Sequence, residues 1–348
     1  LMARANAKSI AVQDKERAET VAVYRETGGN MSETARRLGV SRQAIQDRIK
    51  AAKKRGEIEE WETHDPNVPR RDDYLAARER KIAAYQKKKR KGDWRKPVVT
   101  TLPEKPFRLK LFGDPHLDAD GCNFELFEQH WMDLDAENGV YGMCIGDWFN
   151  NWLKALAHLW REESTHPSDA WLCLEYLMEQ RGGALIAACS GNHDDWTHGP
   201  TDPVDLLMKK YGVLYRQGAL RVMVKCGGLE PFFIALRHKW RGNSMYSAAH
   251  WGVRANREGW RDLILVGGHI HQDEPRLVSH PDGFRSHVCQ ISAFKEFDTF
   301  ADVHGLNGPK ISPVWELVID PREPDTSPDK VKTFWDSERA QNYLEAIT

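Results

Sequence analysis

The sequence predicts a mixed α/β body with strands at its centre, preceded by a small all-helical segment. Three observations carry this. From residue 106 onward, short apolar or alternating runs such as "FRLKLF", "FFIALR" and "LILVG" recur between Gly, Pro, Asp and Asn, as strands bounded by turns do. Helical inserts at 123–137 and 152–181 separate the early runs, which is the alternation of an α/β fold. Before residue 56 the pattern is helical, broken only at glycines.

Three segments follow: 1–55, helical; 56–105, a charged linker with a basic helix; and 106–348, the body with a closing helix. A chain of 348 residues, 41% hydrophobic, has ample material for one large core and for two or three domains. No apolar run approaches the ~20 residues of a membrane-spanning helix. The opening "LMARANAKSIAVQDKERAET" lacks the apolar core of a secretory signal. Six cysteines are scattered with no CxxC and read as reduced thiols in a cytoplasmic protein. Membrane-embedded and disulfide-framed classes are thereby set aside.

The net charge of -1 hides an asymmetry. Residues 1–98 carry 25 Lys+Arg against 15 Asp+Glu, and residues 99–348 carry 25 against 36. A basic front on an acidic body fits a polyanion-binding arm joined to a domain rich in metal-ligating carboxylates, or a solvated helical arm.

Element by element, the first helix runs from about Asp14 to Thr27 with Ala18, Val21 and Tyr24 on one face, and "GGN" ends it. Ser32 is placed to cap "SETARRLG", with Ala35 and Leu38 facing inward, and Gly39 makes a turn. Ser41 caps the third helix, whose inner face holds Ala44, Ile45 and Ile49. Its outer face holds Arg42, Gln43, Gln46, Asp47 and Lys50. Arg and Gln can read G and A edges in a major groove. This stretch resembles small homeodomain-like helix-turn-helix modules, which implies DNA as a partner and a homodimer as one arrangement. The plain alternative is a three-helix packing or dimerisation domain.

Residues around "DPNVP" form an acidic linker. A basic helix then runs from about Asp72 to Arg90, interleaved with Tyr74 and Tyr85. It either tracks a nucleic-acid backbone or packs its Leu75, Ile82 and Tyr85 stripe and solvates its lysines. In the body, strands are expected at "FRLKLF", "GVYGMCI", "GALIAACS", "LRVMVK", "FFIALR", "LILVG", "SHVCQISAF" and "VWELVID". The tail from Ser327 reads as a closing helix.

The chemistry sits where these strands end. "GDPH" offers Asp114 and His116, "GDWFN" offers Asp147 and Asn150, and "GNHDD" offers Asn192, His193 and Asp194. "LRH" offers His238 and "GGHIH" offers His269 and His271. Ligand sites gather beyond the carboxyl ends of strands in open α/β sheets. Singly, each motif has a plain reading: a DxH arises by chance, a histidine after a strand is commonly a hydrogen-bonded core or surface residue, and GNHD can be a turn. The pair in GGHIH could serve one ion, two ions, or packing alone. His250 is the rival of His238, but it lies in a helical stretch. Asp118, Asp120 and Asp195 are either partners of the ligands or loop acids. Lys239, Arg241 and Asn243 either meet phosphates or are solvated.

Together, in this order and spacing, the motifs resemble the calcineurin-like metallophosphoesterases, whose pattern runs D-x-H, GD, GNH[DE], H and G-H-x-H. The likeness covers roughly residues 107–320. It implies a β-sandwich flanked by helices and two divalent metal ions, manganese first, with iron, zinc or magnesium also suited. It implies that Asp114, His116 and His271 hold one ion and Asn192, His238 and His269 the other. Asp147 would bridge both, and a bridging hydroxide would attack phosphorus in line. His193 would stabilise the transition state and protonate the leaving oxygen, with Asp194 orienting it. Asn150 departs from the pattern: phosphatase members often place Asp there, and the double-strand-break nucleases His.

The helix-turn-helix and basic arm, fused to such a site, imply a DNA-directed phosphodiesterase, a nuclease. The arrangement also resembles proteins of bacteriophages and prophages. One alternative is a phosphatase or nucleotide phosphodiesterase tethered to DNA or a partner. Another is a DNA-binding regulatory or packaging factor with a non-catalytic metal site.

Overall fold

The computed structural model describes residues 2–58, 71–91, 93–152, 157–196, 202–242, 244, 246–297 and 312–348. Most of the acidic linker and Asn243 lie outside the described residues. The chain divides into two units, Leu1–Gly92 and Asp93–Thr348.

In the first unit, α1 (Met2–Glu26), α2 (Met31–Leu38) and α3 (Arg42–Lys54) close on Val21, Tyr24, Ala35, Ile45, Ile49 and Ala52. The inward stripe of α1 is Arg17, Thr20, Val21 and Tyr24, while Ala18 is exposed. Arg17 can sit inside because its guanidinium binds Glu57 at 2.9 Å. Asn30 caps α2 rather than Ser32: its side-chain oxygen accepts the N–H groups of Ser32 and Glu33 at 3.1 and 3.0 Å. Gly39 ends α2 in the left-handed region (φ 65), which only glycine enters freely. Ser41 caps α3 through the Ala44 N–H. Arg42, Gln43, Gln46, Asp47 and Lys50 all face solvent. A fourth helix, α4 (Arg71–Lys91), exposes every side chain described on it, including Leu75, Ile82 and Tyr85.

The second unit contains, among its described residues, β1 (Val98–Leu102), β2 (Phe107–Phe112), β3 (Val140–Cys144), β4 (Leu185–Cys189), β5 (Leu214–Arg216) and β6 (Ala219–Cys226). It continues with β7 (Phe232–Arg237), β8 (Ile264–Gly267), β9 (Glu274–Ser279), β10 (Arg285–Gln290), β11 (Val314–Ile319) and β12 (Val331–Phe334). They form two six-stranded sheets, ordered β1-β6-β7-β8-β10-β9 and β12-β11-β2-β3-β4-β5. Alternate residues of each sheet meet in one core. Leu109 lies beside Tyr141 and Leu317 in the second sheet, facing Val222, Ile234 and Ile264 of the first.

Helices cover the outer faces. The helices α5 (Phe124–Met132), α6 (Pro167–Arg181) and α7 (Pro203–Lys210) pack over Phe112, Cys144 and Ala188. On the other side α8 (His250–Arg257) joins Trp240, Trp260 and the partly buried Trp94. The last helix, α9 (Ser337–Ile347), covers Val318. Beneath it, buried Lys110 meets Glu316 at 3.0 Å and Asp133 at 2.6 Å, and Arg108 also pairs with both acids. Burial of these cations is tolerable because each is paired.

The expected core strands are present. The sequence reading missed β1, β5, β9 and β12, the four strands at the sheet edges. β1 lies inside the segment read as linker and pairs in parallel with β6. The tail is a strand and then a helix, not one helix: Val331–Phe334 pairs with β11, and Asp336 caps α9 through the Arg339 N–H.

The topology sets up one edge for chemistry. β2, β3, β4 and β5 run parallel in one sheet, and β7, β8 and β10 in the other. The loops leaving β2, β3, β4, β7 and β8 hold all the candidate ligands.

Candidate metal centre

Three of the loops, those leaving β2, β3 and β8, bend sharply as they leave their strands. Six described non-glycine residues have positive φ: Asp114 (49), His116 (48), Asp147 (53), Asn151 (52), His269 (73) and His271 (54). Five of them are candidate ligands. Such backbones are unfavourable for residues with a Cβ and cluster where function over-determines them. Glycines let the loops cross: a Cβ on Gly191 would fall 1.9 Å from Asp147 Oδ1, and one on Gly268 2.6 Å from Asp114 Oδ2.

Two groups of donors result. Asp114, His116 and His271 form one, and Asp147, His238 and His269 the other; within each, one ligand atom per residue lies within 4.8 Å of the others. In the first, His116 Nε2 and His271 Nε2 are 3.2 Å apart, and Asp114 Oδ1 is 3.6 Å from His271. In the second, His238 Nε2 stands 3.1 Å from Asp147 Oδ2, 3.0 Å from Asn192 Oδ1 and 3.2 Å from His269 Nδ1. Thus GGHIH sends one imidazole to each group. His250, by contrast, is exposed at the start of α8.

The electrostatics fit a cation. Asp114 Oδ1 is buried without a hydrogen-bond donor among the described residues, a costly state unless positive charge is near. His238 Nδ1 faces the Ile145 carbonyl at 3.0 Å, which can only accept, so Nδ1 donates and Nε2 turns to the site. Burial pulls the His238 pKa down, but Asp147 and Asp114 outweigh it and raise it to about 9. Positive charge is drawn to the point where these donors converge. Burial, then His238, lowers His269 to about 4, and burial, then His271, holds His116 well below its usual range. Mixed carboxylate, imidazole and amide donors without thiolate suit Mn, Fe or Zn.

Asp147 Oδ1 accepts the His193 N–H at 2.9 Å, which leaves Oδ2 facing His238 and, at 3.9 Å, His193 Nε2. The His193 ring is oriented by a backbone group: Nδ1 donates to the Asn150 carbonyl at 2.9 Å. The Asn150 side chain is buried, with Nδ2 unpartnered among the described residues. Asp194, read in sequence as orienting His193, also clamps the backbone. Its carboxylate accepts the N–H groups of Asp147 (2.8 Å), Trp148 (3.0 Å) and Gly191 (2.8 Å), tying the β3 and β4 exits together.

Of the lesser candidates, Asp118 is buried, whereas Asp120 is exposed and binds the 164–165 backbone. Asp195 takes the Ser190 hydroxyl at 2.8 Å. Lys239 and Arg241 are exposed beside His238. Sequence reasoning missed Gln290 and Ser292, which donate to the carbonyls of Gly268 (3.1 Å) and His271 (3.0 Å) and so hold the GGHIH loop. No local motif signals them, because Gln290 at the end of β10 and Ser292 just beyond it act across 22 and 21 residues.

The profile of the PucR C-terminal helix-turn-helix domain family matches residues 18–57. Among curated proteins, none matches the chain by sequence. Similar solved structures include Vacuolar Protein Sorting 29 from Cryptosporidium parvum, 16% identical, covering 66% of this chain and 96% of that one at a TM-score of 0.34. A phosphoesterase-like protein from Streptococcus pneumoniae is 13% identical and covers 66% and 98% at 0.31. The nuclease MPE of Pseudomonas putida is 14% identical and covers 65% and 87% at 0.31. The described residues contain no helix long and apolar enough to cross a membrane.

Proposed function

We propose that the protein is a metal-dependent phosphodiesterase acting on DNA, a nuclease recruited by its helix-turn-helix. The observation that carries this is the convergence of two donor groups on the strand exits, three of them strained, with one Asp114 oxygen lacking a hydrogen-bond donor among the described residues. Asp114, His116 and His271 would hold one divalent ion, Asn192, His238 and His269 the other, and Asp147 would serve both. When bound, a pair of such ions, manganese first, supplies Lewis-acid stabilisation of a phosphoryl group and a nucleophile usable near neutral pH.

The chain's own residues do the rest. His193 Nδ1 is committed to the Asn150 carbonyl, so Nε2 is the atom that handles the leaving oxygen's proton. Asp194 keeps the β3 and β4 exits in register. The exposed Arg42, Gln43, Gln46 and Lys50 on α3 offer a surface for base edges and phosphates. The test is a screen of the full chain with Mn, Zn, Mg or Fe against single- and double-stranded DNA, bis-4-nitrophenyl phosphate and 4-nitrophenyl phosphate. Manganese-dependent DNA cleavage is expected. Hydrolysis of the small esters alone would replace the nuclease reading with a tethered phosphatase, and no hydrolysis by any metal would leave a DNA-binding factor.

A further inference from the structure

Asp118 lies four residues after Asp114 and is 1% exposed. Its two carboxylate oxygens accept the backbone N–H groups of Asn150 (2.5 Å) and Asn151 (3.0 Å). The Trp152 indole N–H donates to the Asp118 carbonyl at 3.2 Å. The Asn151 N–H and the Asn150 carbonyl belong to the same peptide unit. No described peptide is cis, so these two groups point in opposite directions across one plane. On one edge that plane gives its N–H to the Asp118 carboxylate. On the other its carbonyl accepts from His193 Nδ1 at 2.9 Å.

We propose that Asp118 is a positioning residue for His193, acting through the 150–151 peptide as a carboxylate–peptide–histidine relay. A hydrogen bond from an amide to a carboxylate polarises the amide and strengthens what its carbonyl accepts. The negative charge that Asn150 cannot supply from its side chain thereby reaches the imidazole through the backbone. The relay is fixed from both sides. Asn151 holds the left-handed backbone that turns the peptide, and its side-chain Nδ2 donates to the His193 carbonyl at 3.0 Å. The imidazolium gives its Nε2 proton to the leaving oxygen as the P–O bond breaks, and the ring becomes neutral with its Nδ1–H still on the Asn150 carbonyl.

This inference rests on His193 serving as the acid proposed above. The test compares the manganese-loaded full chain with its Asp118→Asn variant, which can accept at only one side-chain oxygen. On a dinucleotide, whose alkoxide leaving group needs a proton, the variant is expected to slow by roughly tenfold to hundredfold, part of what a general acid contributes. On bis-4-nitrophenyl phosphate, whose leaving group does not, the loss is expected to stay within about threefold on the same argument. Bound manganese should be unchanged. In the metal-free protein, the His193 Nδ1 proton resonance should move upfield in the variant as its hydrogen bond weakens.

Equal slowing of both substrates, or an unmoved His193 resonance, overturns the relay. A wild-type chain that hydrolyses neither ester defeats the functional reading instead, and the relay is then judged on the resonance. Should Asp118→Asn not fold, hydrogen exchange on the wild type decides: an Asn151 amide exchanging at the unprotected rate overturns the proposal, and strong protection supports it.

Discussion

Gly268 stands where three parts of the site meet. Its N–H donates to the His238 carbonyl at 3.0 Å, and its carbonyl accepts from Gln290 at 3.1 Å. In Gly268→Ala the new Cβ would fall 2.1 Å from Ile145 Cδ1 and 2.6 Å from Asp114 Oδ2. The backbone there is one that an L-residue adopts, so the cost is crowding alone. Ile145 Cδ1 ends a flexible side chain, but it is fully buried. Asp114 Oδ2 is held by the His269 N–H at 3.2 Å. Crowding of this kind costs about 1–3 kcal/mol, which for a domain of this size lowers Tm by roughly 2–12 °C.

Ile145→Val removes Cδ1 and nothing near Asp114. The double variant should therefore recover stability, with a coupling of at least about 0.5 kcal/mol. It should not recover manganese affinity, expected to fall roughly tenfold or more when a ligand's support is disturbed. Thermal melts of the metal-free protein and isothermal titration with manganese read the two effects. Strictly additive melting shifts, or unchanged manganese affinity in Gly268→Ala, would refute the reasoning.

Four further outcomes are expected. Asp147→Ala should lose most bound metal and all hydrolysis, whereas His193→Ala should keep metal and lose about 10²–10⁴ in rate; metal analysis beside kinetics checks both. Burial, then Arg285, lowers His287 from 6.5 to about 4, so its neutral form favours the fold. That stability is complete above about pH 6.5 and is lost as pH falls toward 4, by at most about 3 kcal/mol, and His287→Gln should flatten the metal-free denaturant curve over that window. Asn30→Ala should destabilise the first unit by about 1 kcal/mol while Ser32→Ala leaves its melting unchanged. Arg42→Ala with Gln46→Ala should weaken DNA binding by roughly 1–3 kcal/mol per lost base contact, with hydrolysis of bis-4-nitrophenyl phosphate unaltered.

The donors are legible in the sequence because each is written locally. A strand exit such as "LFGDPH" fixes strand, turn and ligand within a few residues, and a sum of such exits points to one edge of the sheets. Edge strands are less legible. Leu277 on β9 and Val99 on β1 are about half exposed, so neither strand shows the apolar run that marks a central one. Supports acting across the fold leave no trace at all. Asp118 and Asn150 are 32 residues apart and Gln290 and Gly268 are 22 apart, and only the pairing of β2 with β3 and of β8 with β10 brings them together. The cap of α2 was misplaced for a local reason: Asn30 closes "GGN", which reads as a breaker, and the same residue type serves both ends of a turn.

The candidate ligands come from both sheets, with Asp114, His116, Asp147 and Asn192 on one and His238, His269 and His271 on the other. Neither sheet offers a full set, and the last donors lie 157 residues beyond the first. A chain still being synthesised presents carboxylates before the imidazoles that complete either group. On the proposed reading, tight metal capture would wait until residue 271 has emerged and the sheets have closed, so that a bound ion would report on finished folding.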